Sequence, residues 1–424
     1  MIKRDRYLDR LIRSMWNGEV KVITGIRRCG KSVLLFDLFY EYLLSQGVSD
    51  DHIIRLELDQ RRYYKFRDPI VLCEYVESIV KKHSNDRFFL FVDEVQFARL
   101  VKDEANGGVV VTVYDMLNEL KAYKNLDVYV TGSNSRMLSK DIATEFRGRA
   151  TQIHVYPLSF EEYYSFIGGD IKAALDLYML YGGMPRVAGM TEDMEKKEYL
   201  ANLYDELYIK DIMERNHLER EDILNAILDF TASQISSLTN PTNIANSLSS
   251  LRHEKINPSL VAGYITHIMD AFLISLARRY DIKGKTYFNY PNKYYYTDIG
   301  LRNTRLNYRQ YDPGHMMENI IYNELVLRGY SVDVGMVLER KNSEKIQREI
   351  DFVVNDGDRR IYIQSAFRVD SEQKESAELQ SLKLTGDFFR KIVIRSDIPH
   401  YYYDDNGFFH CNLTDFLLGS VELF

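Results

Sequence analysis

Gly25-Ile26-Arg27-Arg28-Cys29-Gly30-Lys31-Ser32 fits the phosphate-binding pattern G-x-x-x-x-G-K-[ST] at every position. Before it, Val20-Lys21-Val22-Ile23-Thr24 reads as a short buried strand, and after it residues 32–45 read as a helix that ends near Gly47. A strand, a glycine-containing loop and a helix N-terminus make an anion site. Backbone N–H groups point inward, and the helix dipole adds partial positive charge. Gly25 and Gly30 permit the tight turn and a close backbone approach. The segment Gly25, Ile26, Arg27, Arg28, Cys29, Gly30, Lys31, Ser32 and Val33 is therefore expected to hold the phosphates of ATP. Lys31 is expected to reach the β- and γ-phosphates, and the Ser32 hydroxyl to ligate Mg²⁺.

The run Arg87-Phe88-Phe89-Leu90-Phe91-Val92-Asp93-Glu94 is apolar and ends in two carboxylates. A fully buried parallel strand looks like this. Open α/β sheets place ligand-binding groups at the carboxyl ends of their strands. Asp93 is then expected in the Mg²⁺ shell, and Glu94 is expected to polarise the attacking water. Phosphoryl transfer needs positioning and charge neutralisation, so these few groups can suffice. A third strand, Leu126–Thr131, leads into Gly132-Ser133-Asn134-Ser135. Ser133 and Asn134 are candidates to orient the water or touch the γ-phosphate, although short polar residues after a strand are also ordinary turn chemistry.

The chain has 424 residues, which predicts two to four domains. Its 45% hydrophobic and 28% charged residues are those of a globular protein. No segment is apolar over the ~18 residues that a membrane span needs. The N-terminus, Met1-Ile2-Lys3-Arg4-Asp5-Arg6, carries no apolar export signal. Three cysteines, Cys29, Cys73 and Cys411, make no disulfide framework. A cytoplasmic protein without membrane partners is expected. The net charge of −7 argues against non-specific nucleic-acid binding by the whole surface but leaves room for a local basic face.

Along the chain, a polar amphipathic helix occupies residues near 1–19. Strands are predicted at 20–24, 53–58, 88–92, 127–131 and 152–156, alternating with helices at 32–45, 69–82 and 112–124. This alternation predicts a parallel sheet with helices on both faces. From Pro157 the pattern turns helical, with a break at Tyr181-Gly182-Gly183-Met184-Pro185. Helices at 223–233, 242–251 and 259–270 precede strand-like segments at 272–277 and 293–297, joined by the turn Lys283-Gly284-Lys285. Three helices and a hairpin form a winged-helix layout, yet the would-be recognition helix Ser259–His267 carries no Arg or Lys. Residues 303–313 read as a polar linker. Beyond it, a helix over 315–329 and strands at 331–337, 349–354, 361–366 and 391–394 predict a second α/β domain.

Lys31-Ser32, Asp93-Glu94, Thr131-Gly132-Ser133-Asn134-Ser135, Phe146-Arg147-Gly148-Arg149 and Gly182-Gly183-Met184-Pro185 occur in an order that resembles the bacterial and archaeal AAA-type ATPases of the signalling branch. The resemblance implies that Arg147 or Arg149 approaches a nucleotide phosphate, from the same or a neighbouring subunit, so self-association is expected. It also implies that Gly183 and Pro185 lie near the nucleotide. The C-terminal part resembles the restriction-endonuclease-like nucleases, and that resemblance maps their acidic positions onto Glu318 and Asp351. The closing Glu-x-Lys of the pattern is replaced by Gln364-Ser365-Ala366. Catalysis there needs the missing charges, so a nuclease-like fold without cleavage is expected.

The expected architecture is an α/β chain. It comprises an ATPase core at 1–156, a helical lid at 157–217, a winged-helix-like domain at 218–302 and a nuclease-like domain at 312–424. The expected function is a Mg²⁺-dependent ATPase that works as a switch or motor on DNA or a partner protein. The alternatives are an ATP-dependent nuclease and a nucleotide-regulated scaffold with little turnover.

Overall fold

The computed structural model describes residues 1–104, 107–132, 150–289, 291–341, 344–369 and 371–424. These form two compact units, residues 1–156 with 270–272, and residues 157–269 with 273–424.

The first unit opens with α1 (Asp5–Ser14) and β1 (Val20–Thr24). Next comes α2, which starts as Lys31–Val33, winds as a π-helix over Leu34–Phe39 and returns to α-helix over Tyr40–Ser45. Then follow β2 (Ile53–Glu57), α3 (Pro69–Lys82) and β3 (Phe88–Asp93). A hairpin of β4 (Val101–Asp103) and β5 (Val109–Val111) precedes α4 (Val113–Leu120), β6 (Leu126–Gly132) and β7 (Ala150–His154). Helix α3 starts sharply because the Asp68 carboxylate accepts the N–H groups of Ile70 and Val71, with Pro69 as the first helical residue. Thr112 and Asp115 close a capping box on α4.

Five strands form one parallel sheet in the order β2-β3-β6-β1-β7. Every residue of β3 and β6 is buried, as a sheet covered on both faces requires. Alternate side chains serve the two faces. Leu90, Val92, Val128 and Val130 join the core formed with Leu72, Val76 and Leu117. The intervening Phe89, Phe91 and Tyr129 pack instead around Phe39 of α2, with ring centroids 6.4, 5.7 and 4.9 Å away. The last strand begins two residues earlier than the sequence predicts. Its register pairs Val20 with Ala150 and Thr24 with His154.

A charge pair lies inside this sheet. Lys21 Nζ binds the Asp127 carboxylate, and both side chains are buried. Asp127 also accepts the Trp16 N–H at 3.0 Å and the Tyr129 hydroxyl at 2.8 Å. Burial lowers the Lys21 pKa, while Asp127 pulls it back up.

The second unit begins with α5 (Phe160–Ile167), α6 (Ile171–Tyr181), α7 (Pro185–Ala188) and α8 (Asp193–Asn202, running on through Leu203–Ile209 and Lys210–Asn216). Next come α9 (Glu221–Ser233), α10 (Pro241–Arg252) and α11 (Pro258–Asp270). The strands β8 (Ile274–Ala277) and β11 (Lys293–Tyr296) pair antiparallel. The turn Lys283-Gly284-Lys285 does not join them, contrary to the sequence expectation. It closes a separate hairpin of β9 (Arg279–Asp281) and β10 (Thr286–Tyr287). Then follow α12 (Ile299–Arg305) and α13 (Pro313–Leu327).

The remaining strands are β12 (Ser331–Lys341), β13 (Glu344–Asp356), β14 (Arg359–Ala366), β15 (Arg390–Arg395), β16 (Tyr402–Tyr403) and β17 (Phe409–Asn412), with α14 (Glu372–Lys383) before β15 and α15 (Leu413–Leu417) last. They form an eight-stranded sheet in the order β10-β9-β12-β13-β14-β15-β17-β16. Val337, Ile350, Val353, Tyr362, Leu382 and Val393 lie in its core.

The linker expected at 303–313 starts inside a buried helix. Arg302 Nε donates to the Ala232 carbonyl at 2.9 Å, and the Asn303 amide donates to the carbonyls of Met179 and Leu180 at 2.9 and 3.0 Å. Polar side chains there satisfy backbone groups instead of facing water. Because β9 pairs in parallel with β12, a cut at residue 312 would also split a sheet.

One stability prediction follows from the sheet's charge pair. Removing one partner of a buried pair leaves an uncompensated charge, typically a loss of about 3–5 kcal/mol. Asp127→Ala should destabilise the protein by that order in chemical denaturation, and Lys21→Met with Asp127→Leu should recover much of it. A neutral Asp127→Ala would show that the pair contributes little.

Candidate nucleotide site

Parallel strands bring their carboxyl ends to one edge, and the candidate residues converge there. The loop after β1 is turned by left-handed residues: Gly25 has φ +142°, Arg28 +63° and Gly30 +99°. A Cβ on Gly25 would collide with the Val155 carbonyl oxygen, so the loop demands glycine there. Arg28 holds this conformation with a full side chain, a local strain of the kind found at ligand-binding loops. Helix α2 starts at Lys31 with no side-chain cap on its N-terminus. Its N-cap is Gly30, which has no side chain of its own with which to occupy the first-turn N–H groups.

Lys31 is only 4% exposed. Its ammonium donates to the loop's own carbonyls, Gly25 O at 3.1 Å and Ile26 O at 3.0 Å. The loop is held from behind as well. Arg4, at the N-terminus of α1, donates to the Cys29 carbonyl at 3.3 Å and to the Tyr156 carbonyl at 2.6 Å, and the Cys29 thiol donates to Val155 O at 3.3 Å. Tyr7 completes this brace, since its hydroxyl accepts the Tyr156 N–H at 3.1 Å.

Across β6, the end of β3 presents Asp93 and Glu94. Thr131 connects them: its hydroxyl donates to the Asp93 carboxylate and accepts the Glu94 N–H at 3.0 Å. Burial pushes the Asp93 carboxyl up to about 6; Thr131 and Ser32, which favour its charged form, oppose this, and the Glu94 charge adds to it. Glu94 has φ +51°, a left-handed conformation that carries its side chain out of the strand direction, and it accepts a hydrogen bond from the Gln96 amide. Beside the loop, His154 Nδ1 lies 3.2 Å from Thr24 Oγ1. Burial, with Lys31 and Arg10 nearby, lowers the His154 pKa to about 4, so its ring is neutral at neutral pH.

The structure thus gathers the Gly25–Ser32 loop with Asp93 and Glu94. Sequence reasoning did not single out Thr131, Arg4 or Gln96. Thr131 stands in the quoted Thr131–Ser135 stretch, but its part follows from β6 lying next to β3, which local sequence does not show. Ser133, Asn134, Arg147 and Arg149 lie outside the described residues. Gly183 and Pro185 belong to the second unit, where they have other duties. The Asp298 carboxylate accepts the Gly183 N–H at 2.7 Å and caps α12 through the Leu301 N–H at 3.0 Å. A Cβ on Gly182 would strike Asp298, and one on Gly183 would strike the Leu158 carbonyl. Pro185 opens α7.

The comparisons with known proteins agree with this geometry. Residues 17–164 match the family described as AAA domain, while 172–312 and 313–414 match two domains of unknown function. An uncharacterized protein of Haemophilus influenzae is 32% identical over 399 residues, covering 93% of each chain. The chain belongs to the same family as that protein. An uncharacterized protein of Methanocaldococcus jannaschii is 27% identical over 378 residues, covering 84% of this chain and 76% of its own. Among solved structures, a Walker-type ATPase of Pyrococcus abyssi aligns with 72% of this chain and 96% of its own at 16% identity and a TM-score of 0.49. The first unit is an AAA-type P-loop domain, and a sheet-rich region follows it. No helix among the described residues is long and apolar enough to cross a membrane.

The raised Asp93 pKa gives a pH prediction for the nucleotide-free protein. The folded value of about 6 lies above the ordinary 3.8. Between these values the folded state keeps a proton that the unfolded state has lost, so this group's contribution to stability falls as pH rises through that window. Asp93→Asn should flatten the stability–pH curve between about pH 4 and about pH 6. An unchanged slope in denaturation midpoints would contradict the assignment.

Proposed function

We propose that the first unit binds ATP with Mg²⁺ and hydrolyses it, and that the chain uses this cycle as a switch acting on DNA or a protein partner. The observation that supports this best is that Thr131, on the strand between β1 and β3, holds both the Asp93 carboxylate and the Glu94 backbone, while β1 leads into the loop on whose carbonyls Lys31 rests. The loop's N–H groups and the α2 N-terminus receive the phosphates. Lys31 exchanges two neutral carbonyls for phosphate oxygens, a stronger charge-assisted partner. Ser32 and Asp93 stand where Mg²⁺ would be held, and the ion neutralises charge on the phosphate oxygens. Glu94 orients and polarises the attacking water, and the Thr131 bond to its N–H fixes the backbone from which it acts. Ser133 and Asn134 are proposed to assist at the γ-phosphate. Arg147 or Arg149 is proposed to approach a nucleotide phosphate, from the same or a neighbouring subunit, and Gly183 and Pro185 are proposed as nucleotide-side elements.

Downstream, α9–α11 with the β8–β11 pair have a winged-helix-like order. The succession α13, β12, β13, β14, α14 and β15 carries Glu318 and Asp351 at nuclease-like positions. Gln364 and Ala366 leave that pattern without its closing charges, so we read this part as a binding module that does not cut DNA.

Lys31→Ala should abolish nucleotide binding, read by fluorescent-nucleotide titration. Glu94→Gln should retain binding and lose at least about 100-fold in turnover, as removal of a water-polarising group does. Wild-type ATP hydrolysis in Glu94→Gln would refute the role given to Glu94. Steady-state ATPase measured with and without double-stranded DNA at fixed salt separates the two partner classes, since phosphate contacts respond to salt.

A further inference from the structure

In the second unit, Lys293 of β11 is 2% exposed. Its ammonium lies 2.7 Å from Glu318 Oε1, 2.7 Å from Glu349 Oε1 and 3.7 Å from Asp351 Oδ1. Glu318 comes from α13, and Glu349 and Asp351 come from β13. We propose that the Lys293 ammonium is the resident cation of this carboxylate pocket and holds the position a divalent metal ion would need, so that the native pocket takes no metal. The inference stands whether or not the first unit hydrolyses ATP.

The geometry is that of an ammonium. Mg²⁺ and Ca²⁺ need oxygen ligands at roughly 2.0–2.6 Å, whereas Glu318 and Glu349 sit at N–H···O distance from the ammonium and Asp351 lies farther out at 3.7 Å. The carboxylates are also committed elsewhere. Glu318 Oε1 accepts the Tyr295 hydroxyl at 2.7 Å, and Asp351 Oδ2 accepts the Ser365 N–H at 2.8 Å. Tyr295 is clamped against Tyr322, with stacked rings 4.0 Å apart. Lys293 is fixed by its ladder partner Ala277 in β8. An ion entering between the carboxylates would have to displace a side chain whose backbone cannot yield.

Charge supports the same view. Burial alone would lower the Lys293 pKa, but the three carboxylates outweigh it and raise it. Burial pushes Glu318 and Asp351 up. A lysine is present, contributed by a strand 25 residues before Glu318 instead of by the strand carrying Gln364.

The test is Mn²⁺ binding to the full-length, nucleotide-free protein, followed by loss of the free Mn²⁺ paramagnetic resonance signal, together with the unfolding midpoint with and without Mn²⁺. Four proteins are compared: wild type, Asp351→Asn, Lys293→Ala and the double variant. Wild type and Asp351→Asn should give the same Mn²⁺ isotherm. Lys293→Ala should gain about one Mn²⁺ per chain and a midpoint that rises with Mn²⁺, and the double variant should lose both. The partly exposed Glu349 gives the ion its way in. Wild-type Mn²⁺ binding that falls by one site in Asp351→Asn would overturn the proposal, and so would a folded Lys293→Ala that gains no Mn²⁺. If Lys293→Ala does not fold, the comparison of wild type with Asp351→Asn decides the question alone.

Discussion

Taking an ammonium out of water costs several kcal/mol unless acceptors replace the solvent. Lys31 meets this demand with the carbonyls of Gly25 and Ile26, two residues of the very loop it serves. The positive φ of Gly25, the missing cap on α2 and the Arg4 brace on the Cys29 carbonyl are all parts of one arrangement. They hold a cation at the start of α2. Among the described residues its partners are neutral carbonyls, so an incoming phosphate competes with weak partners instead of a carboxylate.

Two other buried lysines are held differently, and the contrast is instructive. Lys21 is locked to Asp127 inside the sheet, where nothing needs to exchange. Lys293 is shared among Glu318, Glu349 and Asp351 and ties β11 to α13 and β13. Only the carbonyl-held lysine is poised to change partners. The position of β6 between β1 and β3 then does the rest. Its Thr131 reaches the carboxylate and the backbone of adjacent residues at the end of β3.

Much of the first unit was legible because its signals are local. The Gly25–Ser32 spacing, the apolar run of β3 and the Asp93-Glu94 ending each lie within one short window. Strand order is not local, so neither the insertion of β6 nor the part played by Thr131 could be read. The second unit was legible only in its elements. Lys283-Gly284-Lys285 is a turn, as its composition says, but which strands it joins depends on β9 pairing with β12 some 50 residues later. Asn303 looked like linker because it is polar, and its bonds to Met179 and Leu180 lie over 120 residues away. Gly182 and Gly183 also answer to a constraint that no local window shows. Inside their unit they are glycines because Asp298, 115 residues later, and the Leu158 carbonyl leave no space for a Cβ.

The most direct test is a structure of the full chain with Mg²⁺ and a non-hydrolysable ATP analogue. The account predicts phosphates within the Gly25–Ser32 loop, Lys31 Nζ moved off the Gly25 and Ile26 carbonyls onto phosphate oxygens, and Ser32 and Asp93 around the metal. Nucleotide bound elsewhere, or phosphates in the loop with Lys31 still on its carbonyls, would contradict it.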